Sequence, residues 1–178
     1  ASVTIFNVAP TVTLLESDAL PQEGTPFVLT AEAFDPALDN DTLTYSWDFG
    51  DGSEAVEGET LTEVSHTYAD NGLYTVTLTV SDEDGVATAT RDVLIFNAAP
   101  EVQIDGPTEG LEGQPLVWQA LGVDAAGEND PLTYRWTFSD GFVTEGEVVR
   151  HRFNDNGTYT VTVDAFDDDG GVGRDTIQ

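Results

Sequence analysis

Apolar and polar residues alternate with period two along three stretches of the first half of the chain. These are Phe27-Val28-Leu29-Thr30-Ala31-Glu32-Ala33-Phe34, Thr44 to Phe49, and Tyr74 to Val80. Successive strand residues face opposite sides, so alternation rich in β-branched and aromatic types predicts half-buried strands. Turn-forming clusters separate them: Leu20-Pro21-Gln22-Glu23-Gly24, Gly50-Asp51-Gly52-Ser53, Asp70-Asn71-Gly72 and Asp82-Glu83-Asp84-Gly85. No window of about a dozen residues carries the 3.6-residue period of an amphipathic helix.

The pattern occurs twice. Asn7-Val8-Ala9-Pro10 returns as Asn97-Ala98-Ala99-Pro100, and Leu43-Thr44-Tyr45-Ser46-Trp47-Asp48-Phe49 as Leu132-Thr133-Tyr134-Arg135-Trp136-Thr137-Phe138. Asp70-Asn71-Gly72-Leu73-Tyr74-Thr75-Val76-Thr77 returns as Asp155-Asn156-Gly157-Thr158-Tyr159-Thr160-Val161-Thr162. The second copy is shorter between Gly141 and His151 than the first between Gly52 and His66, which predicts a variable loop or edge strand there. The chain therefore reads as residues 1–6, the end of a preceding strand or linker, then one domain over 7–96 and a second over 97–178. Six or seven short strands in each unit of about 90 residues predict an all-β fold, two immunoglobulin-like sandwiches in tandem.

Charge narrows the partners. Thirty-four acidic residues face five basic ones, all Arg, for a formal charge of −29. Such a surface repels phosphate backbones and anionic lipid, which excludes nucleic-acid and membrane-surface roles, and it attracts cations. No apolar run approaches the ~18 residues of a membrane span, and no basic start with an apolar block reads as a secretory leader. The absence of Cys excludes disulfides, zinc–thiolate sites and thiol catalysis.

Trp47 and Trp136 sit mid-strand among alternating neighbours, where one large ring can span both sheets of a sandwich. Tyr74 and Tyr159 each follow an Asp-Asn-Gly turn at the start of the longest strand, the placing of a tyrosine corner. These four are expected to be structural. The run Tyr45-Ser46-Trp47-Asp48-Phe49-Gly50-Asp51-Gly52, then His66-Thr67-Tyr68, then Gly72 to Val80 resembles the polycystic-kidney-disease-type (PKD) domain family. The second unit resembles it more loosely, with Trp136-Thr137-Phe138-Ser139-Asp140-Gly141 in the first motif and Phe153 in place of Tyr68. The resemblance implies a seven-stranded sandwich, an extracellular, secreted or cell-surface setting, and a non-catalytic role in adhesion, spacing or carbohydrate contact. Its implied partners are neighbouring domains of the same or a like chain, and protein or carbohydrate surface ligands.

Catalytic inventories come up short, and the chain reads as a non-enzyme. It has no Cys, no Lys and no Gly-x-Ser-x-Gly segment, and Ser65 and His66 are strand neighbours that face opposite sides. His66 and His151, one per unit, cannot build a zinc site of about four ligands. Gly170 to Gln178 fits the calcium β-roll nonapeptide, but that motif needs stacked copies, and Arg174-Asp175-Thr176-Ile177 parallels Arg91-Asp92-Val93-Leu94 of the last strand. Asn40-Asp41-Thr42 and Asn156-Gly157-Thr158 are glycosylation sequons in loops.

The acidic loops are the candidate site. In an immunoglobulin-like sandwich the start of the first strand, the loop between the second and third strands, and the loop between the last two share one pole. The first unit brings Asn7, Asp35, Asp39, Asp41, Asp82 and Asp84 there, and the second brings Asn97, Asp124, Glu128, Asp130, Asp167 and Asp169. Converging carboxylates repel one another unless a cation sits between them, and calcium suits all-oxygen ligands. An ion at the pole of the second unit, where the linker Phe96-Asn97-Ala98-Ala99-Pro100 enters, is expected to stiffen the domain junction. The competing expectation is an acidic, solvated surface adapted to high salt.

Three readings of function follow: a spacer or adhesive segment of a larger surface or secreted protein, a self-assembling filament or surface-layer subunit, and an accessory domain pair of a secreted hydrolase. Ser2-Val3-Thr4-Ile5-Phe6-Asn7 also matches Asp92-Val93-Leu94-Ile95-Phe96-Asn97. Either the chain is cut from a continuous array, or residues 2–6 complete the sheet of another copy by strand addition.

Overall fold

The structure, a computed structural model, describes residues 2–4, 6, 8–15, 20–36, 42–83 and 85–178. The chain divides into two compact units, residues 1–96 and 97–178. Among the described residues all the regular structure is strand, seven in each unit.

In the first unit β1 (Thr11–Leu14), β2 (Pro26–Phe34) and β5 (Glu63–Thr67) form one sheet in the order β1-β2-β5. β3 (Thr44–Asp48), β4 (Val56–Glu59), β6 (Gly72–Ser81) and β7 (Val86–Ile95) form the other in the order β4-β3-β6-β7. The period-two alternation decides which side chains meet: Phe27, Leu29 and Ala31 of β2 face Trp47 of β3 and Val76, Leu78 and Val80 of β6 in one core. Trp47 is fully buried, and its indole N–H donates to the Leu61 carbonyl at 3.0 Å, which satisfies its one polar group. The turn after β3 needs glycine at Gly50. Its φ is 78°, and a Cβ there would lie 2.5 Å from the Thr75 carbonyl oxygen.

The second unit repeats the plan. β8 (Glu101–Asp105), β9 (Leu116–Val123) and β12 (Val148–His151) stand in the order β12-β9-β8. β10 (Thr133–Phe138), β11 (Val143–Glu145), β13 (Val161–Phe166) and β14 (Val172–Ile177) stand in the order β11-β10-β13-β14. Trp136 is fully buried and donates to the Gly146 carbonyl at 2.9 Å. A second indole, Trp118 on β9, is buried in the same core and donates to the Pro107 carbonyl at 3.1 Å. Ser139 stands where Gly50 stood, and its hydroxyl accepts the Thr160 N–H at 2.9 Å.

The register of the last strand corrects one sequence expectation. Arg174–Ile177 does not take the place of Arg91–Leu94. Ile177 pairs with Val161, whereas Arg91 pairs with Val76, so Ile177 occupies the place of Arg91. Of the three positions of displacement, one comes from the turn before β14, where Gly171 is an extra residue between Gly170 and Val172. The other two arise because Arg174 follows Phe166 by eight residues where Arg91 follows Ser81 by ten. Tyr159 likewise precedes β13 rather than opening it, while Tyr74 lies within β6.

Candidate metal centre

Three loops of the second unit bring carboxylates together. Asp124 follows β9 and caps its own turn, its Oδ1 accepting the Ala126 N–H at 2.9 Å. Asp130 lies in the loop before β10 and is 1% exposed. Asp167 follows β13, and its Oδ1 accepts the N–H groups of Asp169 at 3.1 Å and Gly171 at 2.6 Å. Its Oδ2 accepts from Nδ2 of Asn97, the first residue of the unit, at 3.0 Å.

One oxygen from each of Asp124, Asp130 and Asp167 lies within 4.8 Å of the others, and all three residues are buried. Asp124 Oδ2 is buried with no hydrogen-bond partner. At this spacing each pair of carboxylates repels by roughly 3–4 kcal/mol at an effective dielectric constant of about 20. Every donor is a hard oxygen, the set that suits a hard divalent cation, with the Asn97 side chain beside it.

Asp169 also approaches Asp130, in a group completed by Asp168, which the sequence did not single out. Asp168 and Asp169 are exposed, as is Glu128, which joins none of the acidic groups among the described residues. In the first unit Asp35 is buried, and the partly buried Asp82 accepts the Gly85 N–H at 2.5 Å; neither joins such a group. Asn7, Asp39, Asp41 and Asp84 lie outside the described residues.

Both histidines sit in one arrangement. His66 Nε2 lies 2.6 Å from Asp51 Oδ2, and its ring stacks on Phe49 at 3.8 Å. His151 Nε2 lies 2.7 Å from Asp140 Oδ2 and stacks on Phe142 at 4.4 Å. Burial pushes the Asp51 carboxyl up, but hydrogen bonds from Ser53 and His66 outweigh it and hold the group below the ordinary aspartate range. Asp140 is lowered in the same way, with bonds from His151 and the Phe142 N–H outweighing burial. Each pair ties the turn after a central strand to the opposite sheet. The tyrosine corners form in both units: Tyr74 donates to the Asp70 carbonyl and Tyr159 to the Asp155 carbonyl, both at 3.0 Å. Asn156 is exposed in the turn between them.

A family model described as "PKD domain" matches residues 7–95 and again 97–178. Human polycystin-1 is 32% identical over 134 residues, 74% of this chain and 3% of that protein. Pre-pro-metalloprotease PrtV of Vibrio cholerae is 27% identical over 142 residues, 79% of this chain and 15% of that protein. The microbial collagenase of Vibrio alginolyticus is 48% identical over 50 residues, 28% of this chain and 6% of that protein. The matched region is thus a small part of each of these proteins. With one match over each sandwich, the chain belongs to the PKD domain family and carries the domain twice in tandem.

Proposed function

We propose that this chain is a non-catalytic, extracellular pair of modules, a spacer or adhesive segment of a larger surface or secreted protein, and that its second domain binds calcium. The observation that carries the calcium reading is the meeting of Asp124, Asp130 and Asp167, buried and within 4.8 Å of one another, with Asp124 Oδ2 lacking a hydrogen-bond partner. Those three residues, with Asn97 at the domain boundary, would hold the ion, and Asp169 extends the set at the surface. Bound calcium supplies positive charge that offsets their repulsion. Holding Asn97 to the loops of the second domain stiffens the chain where that domain begins.

The non-catalytic reading is supported by the histidines, each engaged by an aspartate and stacked on one phenylalanine ring. A metalloprotease and a collagenase among the relatives, each matched over a small part of its length, favour a second reading as an accessory domain pair of a secreted hydrolase.

Calorimetric titration of the 178-residue chain with calcium at fixed ionic strength tests the ion site. Binding that disappears in Asp124→Asn with Asp130→Asn supports it. Heats equal to those of magnesium, or unchanged in the double variant, contradict it.

A further inference from the structure

The two sandwiches differ where the chain crosses from one sheet to the other. In the first domain β4 reaches Glu59 opposite Thr44, and Thr60, Leu61 and Thr62 then lead to β5. The Leu61 carbonyl accepts the Trp47 indole N–H, and the Thr62 carbonyl accepts the Ala31 N–H. In the second domain Gly146 and Glu147 hold those two places, accepting from the Trp136 indole and the Ala120 N–H. The crossing is shorter there: Glu57 and Thr62 are five positions apart, whereas Glu145 and Glu147 are two. Gly146 also stands in for Gly58 beside the central strand, donating to the Tyr134 carbonyl. No residue of the second domain therefore corresponds to Glu59 or Thr60, and no side chain to that of Leu61. The space left is an open cavity of about 650 Å³, lined by Leu132, Tyr134, Arg135, Glu145, Glu147 and Phe166.

Two features say what fits it. The first is the backbone. Tyr134, Trp136 and Phe138 turn their N–H and C=O groups toward the β11 side, as the bonds from Gly146 to Tyr134 and from Phe138 to Phe142 require. The Gly146 carbonyl is taken by the Trp136 indole, so the Tyr134 N–H faces the cavity with no partner among the described residues. The edge at residues 132–134 is thus open to an added strand, in the place that Glu59 fills for Thr44. The second feature is charge. On the outer face Glu145, Arg135, Asp164 and Arg174 stand opposite one another across four strands, so Arg135 has an acid on either side. Glu147 has no such match: it accepts from the neutral Gln119 amide at 3.0 Å, and its charge adds to burial in pushing the Tyr134 phenol up.

We propose that this notch is an acceptor site for an extended, basic segment of a different protein. The segment adds antiparallel to β10 at residues 132–134, with a Lys or Arg side chain directed at Glu147. Its backbone carbonyl accepts the Tyr134 N–H, and the apolar stem of the basic side chain covers Leu132. A second copy of this chain is not the occupant, because a formal charge of −29 makes like chains repel. The site names a partner for the adhesive reading and rests on it, while the calcium reading stands apart.

The test uses the 178-residue chain in chelator-treated buffer with roughly 0.15 M salt, which screens attraction beyond about 8 Å. The probe is the peptide acetyl-Thr-Val-Lys-Val-Thr-amide. Its control is acetyl-Thr-Pro-Lys-Pro-Thr-amide, which keeps the charge but lacks the N–H groups of a pairing strand. Titration is followed by amide chemical shifts and by hydrogen exchange at Tyr134. The expected result is a saturable shift, with Tyr134 exchange slowed roughly tenfold or more at saturation. Glu147→Gln weakens binding by about tenfold or more. Inserting Gly-Glu-Thr after Glu145 together with Gly146→Leu, which copies the first domain, abolishes it. No saturable binding, equal binding by the proline peptide, or binding unchanged in Glu147→Gln or in the filled chain overturns the proposal. Such a failure leaves the calcium titration, and the spacer reading with it, as they were.

Discussion

Asn97 Nδ2 donates to Asp167 Oδ2 at 3.0 Å, joining two residues 70 positions apart within the second domain. The bond fastens the first residue of that domain to the loop between its last two strands. A hydrogen bond to a charged group contributes about 1.5–3 kcal/mol. Asn97→Ala is therefore expected to lower the Tm of the second domain by several degrees and leave the first unchanged, as differential scanning calorimetry would resolve. An unaltered second transition would mean that this bond holds nothing.

The three indoles should behave as core residues. Trp47→Ala is expected to destabilise the first domain, and Trp118→Ala or Trp136→Ala the second, by roughly 3–5 kcal/mol each. A domain of this size holds about 5–10 kcal/mol, so each change brings its domain near unfolding. Urea denaturation followed by fluorescence checks this, and retention of the native midpoint by any of the three would contradict its burial.

Acid should loosen the histidine-tied turns. The Asp51 and Asp140 carboxyls are lowered in the folded protein, so the stability they contribute is present above the ordinary aspartate pKa of ~3.9 and is lost as pH falls through their folded values. Asp51→Asn removes this part of the acid dependence from the first domain only. Melting profiles between about pH 5 and 2 that superimpose for wild type and variant would refute that assignment.

Alkali should distinguish the domains in the opposite direction. Burial, then the charges of Asp51 and Tyr74, pushes the Tyr68 phenol up to about 12. A raised pKa means stability present below ~10 and lost as pH rises toward 12. Phe153 stands at this place in the second domain, so Tyr68→Phe should flatten the alkaline fall of the first domain and leave the second as it was. Equal alkaline slopes for variant and wild type would count against it.

The sandwich was legible because period-two alternation translates directly into which side chains face inward, as Phe27, Leu29, Val76 and Leu78 do. Trp118 escaped notice because β9 is apolar on both faces: Val117 and Leu121 are exposed beside it. Arg174–Ile177 belongs to the last strand as expected, but its register was not legible, because Arg-Asp occurs in both copies at different distances from the turn that sets the pairing. The acidic pole was legible to the level of loops. Within them, turn geometry and not periodicity aims each side chain, so Glu128 points to solvent while Asp130, two residues on, is buried. The histidine–aspartate pairing was not legible although Asp51, His66, Asp140 and His151 all recur in the repeat, since Asp51 and His66 meet across 15 positions, from a turn to a strand.

The most direct measurement is the Tm of the second domain in calcium and in sodium at matched ionic strength, for wild type and Asp130→Asn. Removing one of three mutually repelling carboxylates should raise the calcium-free Tm, while a bound ion should favour the wild type. Calcium at a hundredfold above its dissociation constant stabilises by about 2.7 kcal/mol, several degrees for a domain of this size. The account predicts that the two proteins exchange order: Asp130→Asn melts higher in sodium and lower in calcium. Equal gains from both salts, with Asp130→Asn melting above wild type in each, would leave only an acidic, solvated pole.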